Sequence, residues 1–279
     1  MRRVIRGLCC VLVWAGSLAA GCSNAETPRV TPATVTLRVA AESALYPLMQ
    51  ELTRAYSLEQ PHVLFTLSSN STPAAAEAIY NQRADIAAVS VLPVTIAGRN
   101  PPWLADLATD GIAVIVNPAN PLNGLSTQQL RDLYAGAYSR WDELGATSIG
   151  DIQLAVRESD DGTRILFDRL VMGNTRLSLN AVVLPSVEIM MNFVAYQPGA
   201  IGYVPSTRIT ETVSPPVKTL SIDGQFPTFD ALTGGAYPLA RPLYLIASSE
   251  PQGELREFAA WVLGPAGRRI IHAAQYATP

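Results

Sequence analysis

Short apolar runs with β-branched character alternate along this chain with stretches of helical spacing, and the order recurs from residue 35 to near the C-terminus. The pattern predicts strands over 35–40, 63–67, 86–89, 112–116, 152–156, 200–204 and 243–247. Between them it predicts helices over 45–56 with Pro47 in the first turn, 73–81 capped by Thr72, 127–134 capped by Ser126, and 164–171. Further helices follow over 187–196, stopped by Pro198 and Gly199, then 254–263 and 268–274. Strands alternating with helices indicate an α/β protein, and no internal repeat is visible.

The start of the chain departs from this pattern. Arg2, Arg3 and Arg6 precede an apolar run over 8–20, and small residues lead into Cys22, which reads as an export signal. The run is short for a bilayer span. The segment Leu18-Ala19-Ala20-Gly21-Cys22 resembles a bacterial lipobox, which implies a signal peptide over 1–21 and a lipid-modified Cys22 as the mature N-terminus. Plain secretion with Cys22 as a free thiol is the other reading. Residues 22–34 are polar and proline-bearing, as in a flexible tether.

Composition narrows the chemistry. With 48% hydrophobic and 15% charged residues, the 279-residue chain is globular rather than disordered. Loss of the leader removes three arginines and no acid, which moves the net charge from −3 to −6 and disfavours nucleic acid or an anionic membrane as partner. All three cysteines, Cys9, Cys10 and Cys22, lie at the start, so the body is expected to lack disulfides. Two histidines, His62 and His272, without cysteine do not assemble a usual transition-metal site, and neither has a triad context. The reading is therefore of a protein that is not an enzyme and needs no cofactor or metal. His62 and His272 read as surface residues; Trp141, Tyr134 and Tyr203 read as core; Glu188, Met190 and Met191 read as packing or solvent positions.

Three strand-to-helix junctions share one chemistry. Ser43, the stretch from Ser68 to Thr72, and Asp161-Gly162-Thr163 each place hydroxyls or backbone N–H groups at a helix start, where the unpaired donors attract an anion. The same residues are also common caps.

Several segments together resemble the phosphate-binding-protein-like family of extracytoplasmic solute receptors that serve ABC-type importers. They are the run from Asp110 to Pro118, the run from Leu125 to Trp141, Gly162-Thr163-Arg164, the run from Gln197 to Val204, and the run from Tyr237 to Tyr244. The resemblance implies a type II periplasmic binding protein fold: two α/β lobes with mixed sheets, joined by two crossing strands. Lobe 1 would comprise 35–111 and 206–279, and lobe 2 would comprise 112–205. It further implies a monomer that binds an inorganic oxyanion, phosphate in the family, and hands it to a membrane permease from an extracytoplasmic position.

Carried over by residue, the first family loop, usually Gly-Ser-Thr, becomes Ala41-Glu42-Ser43-Ala44, with Ser43 and Ala44 as contacts and Glu42 beside them. Thr72 supplies the second hydroxyl. Ser90 stands where the family places an Asp that accepts a phosphate proton. Arg157, Gly162 and Thr163 match the fourth loop, with Arg157 as the main positive charge, but Asp161 replaces a Ser. Asp161 admits three readings: a cap that fills the anion site itself, an acceptor for a protonated ligand, or a partner for a cationic ligand. A same-fold module with altered or lost ligand, acting as a sensor or accessory envelope lipoprotein, is the alternative function. A phosphoester hydrolase would need a nucleophile and base that the sequence does not offer.

Overall fold

The structure, a computed structural model, describes residues 33–92, 103–210 and 216–278. The expected leader, Cys22 and most of the tether lie outside these residues. The strands are β1 (Val35–Glu42), β2 (Val63–Asn70), β3 (Ile86–Val89), β4 (Trp103–Val116), β5 (Gly124–Leu125), β6 (Gln153–Arg157), β7 (Val182–Leu184), β8 (Ala200–Pro205), β9 (Lys218–Thr219), β10 (Ser221–Ile222) and β11 (Ala240–Ala247). The helices are α1 (Tyr46–Glu59), α2 (Thr72–Tyr80), α3 (Thr127–Ala135), α4 (Gly162–Phe167), α5 (Val187–Tyr196), α6 (Phe229–Thr233), α7 (Gly253–Leu263) and α8 (Pro265–Ala273). A π-helical turn, Asp168–Met172, continues α4.

One mixed sheet runs in the order β2-β1-β3-β11-β4-β8-β6-β7, with β9 also on β4. Strands β2, β1 and β3 are mutually parallel, as are β8, β6 and β7. Between these groups, β11 is antiparallel to β3 and β4, and β4 is antiparallel to β8. Strand β4 serves both halves: its first part pairs with β11 up to Gly111, and from Ile112 it pairs with β8. This is the mixed α/β, two-lobed architecture expected.

Local sequence explains the element ends. Ser126 accepts from the Gln129 N–H while Gln129 reaches back to the Ser126 N–H, a capping box, and Gly136 closes α3 at φ 84°. Ser186 and Thr228 cap α5 and α6 in the simpler way. The expected strand over 112–116 begins much earlier, at Trp103. Its first part alternates half-buried and exposed residues from Trp103 to Asp106 and carries Asp106, Thr109 and Asp110, so it lacks the continuous apolar run of its second part. Pairing with β11 makes it a strand.

The cores follow the two halves. Leu37, Val39, Met49, Leu52, Leu243, Leu245 and Phe258 pack in one cluster, with Ala40, Ile79, Ala87 and Ile246 on the opposite face of that sheet half. Tyr134, Trp141, Phe167 and Tyr203 anchor the other half, where Phe167 and Tyr203 stack at 4.1 Å. Ala113, Ala155, Met190, Met191 and Val194 cover its second face. The stretch after 206, assigned by sequence to the first lobe, divides: Leu220, Ile222, Leu232, Tyr237 and Leu239 pack with Ile112 and Tyr134. Short strands β9 and β10 pair with β4 and β5, which fixes this stretch to the second half before β11 returns. His62 is half-buried and paired with Glu254 at 3.0 Å rather than a plain surface residue. His272 is exposed, as read, with its ring against Phe229. No helix among the described residues is long and apolar enough to cross a membrane.

Candidate functional site

The parallel strands β1 and β3 end at one point, and α2 begins there after β2. Ends of parallel strands followed by helix starts are where open α/β sheets bind ligands. Strand β1 runs two residues further than its apolar pattern, and so carries Glu42 to this point. Glu42 is 1% exposed. Its Oε2 accepts from the Thr72 hydroxyl at 2.7 Å and from the Ser90 N–H and Ser90 hydroxyl, each at 2.8 Å. Thr72, expected to cap α2, is its first residue; Ser71 precedes it as the cap position, without a side-chain bond, and the Thr72 hydroxyl is directed to Glu42 instead.

Helix α4 approaches from the other half. Asp161 is its cap: Oδ1 accepts from the N–H groups of Thr163 and Arg164. Oδ2 accepts from Ser43 at 3.3 Å and lies 3.1 Å from Arg157 Nη2. Asp161 therefore takes up donors of its own helix as its cap. The Thr72 N–H donates to the Asp160 carbonyl at 3.3 Å, which joins α2 to the loop before α4. Gly162 sits directly on the glutamate; a Cβ there would fall 2.5 Å from Thr72 Oγ1 and 2.6 Å from both Glu42 Oε2 and Ser90 Oγ. Any side chain there would have to push these hydrogen-bonded side-chain ends apart.

Arg157 has little freedom to act as the main charge toward a ligand. Its Nε donates to the Leu184 carbonyl at 3.0 Å and its Nη2 to the Pro185 carbonyl at 3.1 Å, besides the Asp161 contact. A second guanidinium, Arg241 on β11, is fully buried beside the glutamate. Arg241 Nη2 meets Asp110 Oδ2 at 2.7 Å, Nη1 donates to Thr163 Oγ1 at 3.3 Å, and Nη1 lies 3.5 Å from Glu42 Oε1. Asp110 is also fully buried, and its Oδ1 accepts from Ser206 Oγ at 2.6 Å and from the Gly111 N–H at 2.7 Å. Ala44 is buried, offers no polar side-chain atom, and lines a separate groove with Pro47, Thr207 and Tyr276.

The structure thus gathers Thr72, Ser90, Asp161, Gly162 and Thr163, with Ser43 at the rim and Arg157 behind Asp161. Glu42, Asp110 and Arg241 complete the cluster and were not among the sequence-derived contacts. The signal for two of them is present: Asp110 and Arg241 are opposite charges, each at the edge of an apolar β run, the pattern of a buried pair. Glu42 ends such a run as well.

Burial raises the Glu42 carboxyl above its ordinary value of 4.5, against the opposing pull of Arg241, Ser90 and Thr72. Folding therefore favours its protonated form, so the stability that this proton contributes is full below about pH 4.5 and is lost as pH rises through the folded value. Glu143 has the opposite sign: N–H groups of Arg140 and Ser139 hold it low, and its contribution is lost as pH falls. Comparison with Glu42→Gln isolates the first effect. Urea unfolding from about pH 4 to about pH 9 should show the variant gaining stability relative to the native chain as pH rises. A constant difference across that range would show that the Glu42 proton is not linked to folding.

The model of the PBP superfamily domain matches residues 26–266. The phosphate-binding protein PstS of Bacillus subtilis is 24% identical over 252 residues, covering 86% of this chain and 82% of the relative. Among solved structures, an ABC-type phosphate transport receptor from Vibrio cholerae superposes with TM-score 0.75 at 25% identity, covering 87% of this chain and all of that one. A putative phosphate ABC transporter substrate-binding protein from Clostridium perfringens, with bound phosphate, reaches TM-score 0.80 at 21% identity, with 88% and 100% coverage. With the family model spanning most of the chain and the two-lobed fold in agreement, the chain belongs to the periplasmic-binding-protein (PBP) superfamily, whose members bind substrates rather than transform them.

Proposed function

We propose that this protein is an extracytoplasmic solute-binding protein, tethered by lipid at Cys22, that takes an inorganic oxyanion into the buried cluster and delivers it, as a monomer, to an ABC-type importer. Phosphate is the first candidate, in keeping with what the similar proteins are named for. One observation carries the reading: the Ser90 N–H and the Ser90 and Thr72 hydroxyls converge within 2.8 Å on a single oxygen position beside helix starts. Three donors aimed at one point form a cradle for an anionic oxygen.

A second reading, a module with altered ligand, is favoured by the carboxylates within the cluster. Glu42 places its own oxygen in the cradle and Asp161 takes the α4 donors. A thermal-shift panel of phosphate, sulfate, arsenate, molybdate and small organic anions separates the two, because a ligand that binds only the folded state raises Tm by mass action. The proposal expects phosphate to raise Tm in a concentration-dependent way. A shift only with another class of ligand favours the second reading. For the anchor, Cys22→Ser should move the protein from membranes to the soluble fraction; retention on membranes would show that Cys22 does not hold it there.

A further inference from the structure

We infer that Glu42 is a tethered anion that fills the oxygen cradle, so that an external oxyanion enters only by displacing this carboxylate. The inference rests on the oxyanion reading of the site and specifies how that site is regulated.

The bonding is the first ground. Glu42 Oε2 takes all three cradle donors at 2.7–2.8 Å, full-strength hydrogen-bond distances. Its other oxygen, Oε1, is buried and without a hydrogen-bond partner, with Arg241 Nη1 at 3.5 Å as the nearest cation. The carboxylate is thus satisfied at one oxygen and stranded at the other, an arrangement that costs free energy and that the cradle offsets.

Space is the second ground. Gly162 at the start of α4 closes over the same three atoms, Thr72 Oγ1, Glu42 Oε2 and Ser90 Oγ, leaving no room for a Cβ among them. A phosphate oxygen and the glutamate oxygen cannot share the cradle. Charge is the third ground. Glu42, Asp110 and Asp161 face Arg157 and Arg241, so an added anion meets an acidic surplus in a region of low dielectric unless Glu42 leaves or is neutralised.

An intramolecular competitor weakens apparent affinity by the fraction of molecules in which it is withdrawn. If Glu42 is out of the cradle in about 1% of molecules, an external anion binds about 100-fold more weakly than the cradle allows. The test is calorimetric titration with inorganic phosphate, alongside thermal shift with formate, for the native chain, Glu42→Ser and Glu42→Gln. Serine vacates the cradle; glutamine removes the charge at nearly constant shape. The inference expects Glu42→Ser to bind phosphate at least tenfold more tightly than the native chain and to be stabilised by formate, which stands in for the missing carboxylate.

Equal phosphate affinity in the native chain and Glu42→Ser overturns the inference while leaving the oxyanion reading intact. Stabilisation of Glu42→Ser by formate with no phosphate binding by either protein supports the tethered anion and removes phosphate as the ligand. Absence of any anion effect on folded Glu42→Ser overturns the inference outright. Should Glu42→Ser fail to fold, Glu42→Gln decides: tighter phosphate binding than native supports the inference, and unchanged or weaker binding overturns it.

Discussion

Arg241→Ala lowers the stability of the folded body by about 3–5 kcal/mol, the scale for removing one partner of a buried ion pair. The guanidinium has no exposure to water, and two buried carboxylates depend on it. Asp110 Oδ2 loses donors at 2.7 Å and 3.2 Å, and Glu42 Oε1 loses the nearest cation it has. Truncation also withdraws the donor to Thr163 Oγ1, a contact linking β11 to α4. For a body of this size the loss corresponds to a fall in Tm of roughly 10 °C. Pairing the change with Asp110→Asn should return part of the loss, because the two residues share one interaction and their effects are not additive. A change below about 1 kcal/mol would show that the buried pair contributes little to stability.

Arg157→Ala costs on the order of 3 kcal/mol of stability, from two sources. Asp161 is left buried with one fewer cationic neighbour, although its Oδ1 keeps the N–H groups of Thr163 and Arg164 and its Oδ2 keeps Ser43. The carbonyls of Leu184 and Pro185 lose the fork that ties the end of β7 to β6. Lysine restores the charge but not the planar fork, so Arg157→Lys should recover only part of the stability. Denaturant unfolding reads this effect, and phosphate titration of the same variants reads binding separately. If affinity falls by tenfold or more while stability is kept, Arg157 is a ligand contact in the way the resemblance implies, and its carbonyl bonds are secondary.

Much of the fold is legible in the residues. The 127–134 helix is announced by Ser126 and Gln129 at capping-box spacing, and Gly136 ends it one residue beyond the expected limit, in the left-handed conformation. Tyr134, Trp141 and Tyr203, read as core, are fully buried. The reading loses accuracy where a strand owes its existence to a partner. The first part of β4 interrupts its apolar residues with Asp106, Thr109 and Asp110 and becomes extended because β11 supplies its hydrogen bonds. The helix expected over 164–171 begins instead at Gly162, because Asp161 caps it, and passes into a π turn at Asp168.

By itself, the sequence determined the α/β order, the hydroxyl-bearing strand-to-helix junctions at Ser43, Ser68 to Thr72 and Asp161-Gly162-Thr163, and the family. Those properties are local, since strand period, helix caps and loop chemistry are written in neighbouring residues. The tertiary structure alone decided which charges meet. Glu42 and Ser90 are 48 residues apart, and Asp110 and Arg241 are 131 apart. A carboxylate next to a serine loop reads the same whether it faces water or the cradle. Which of the two holds depends on the pairing of β1 with β3 and on the close approach of Gly162, and no local pattern encodes the register that brings them together.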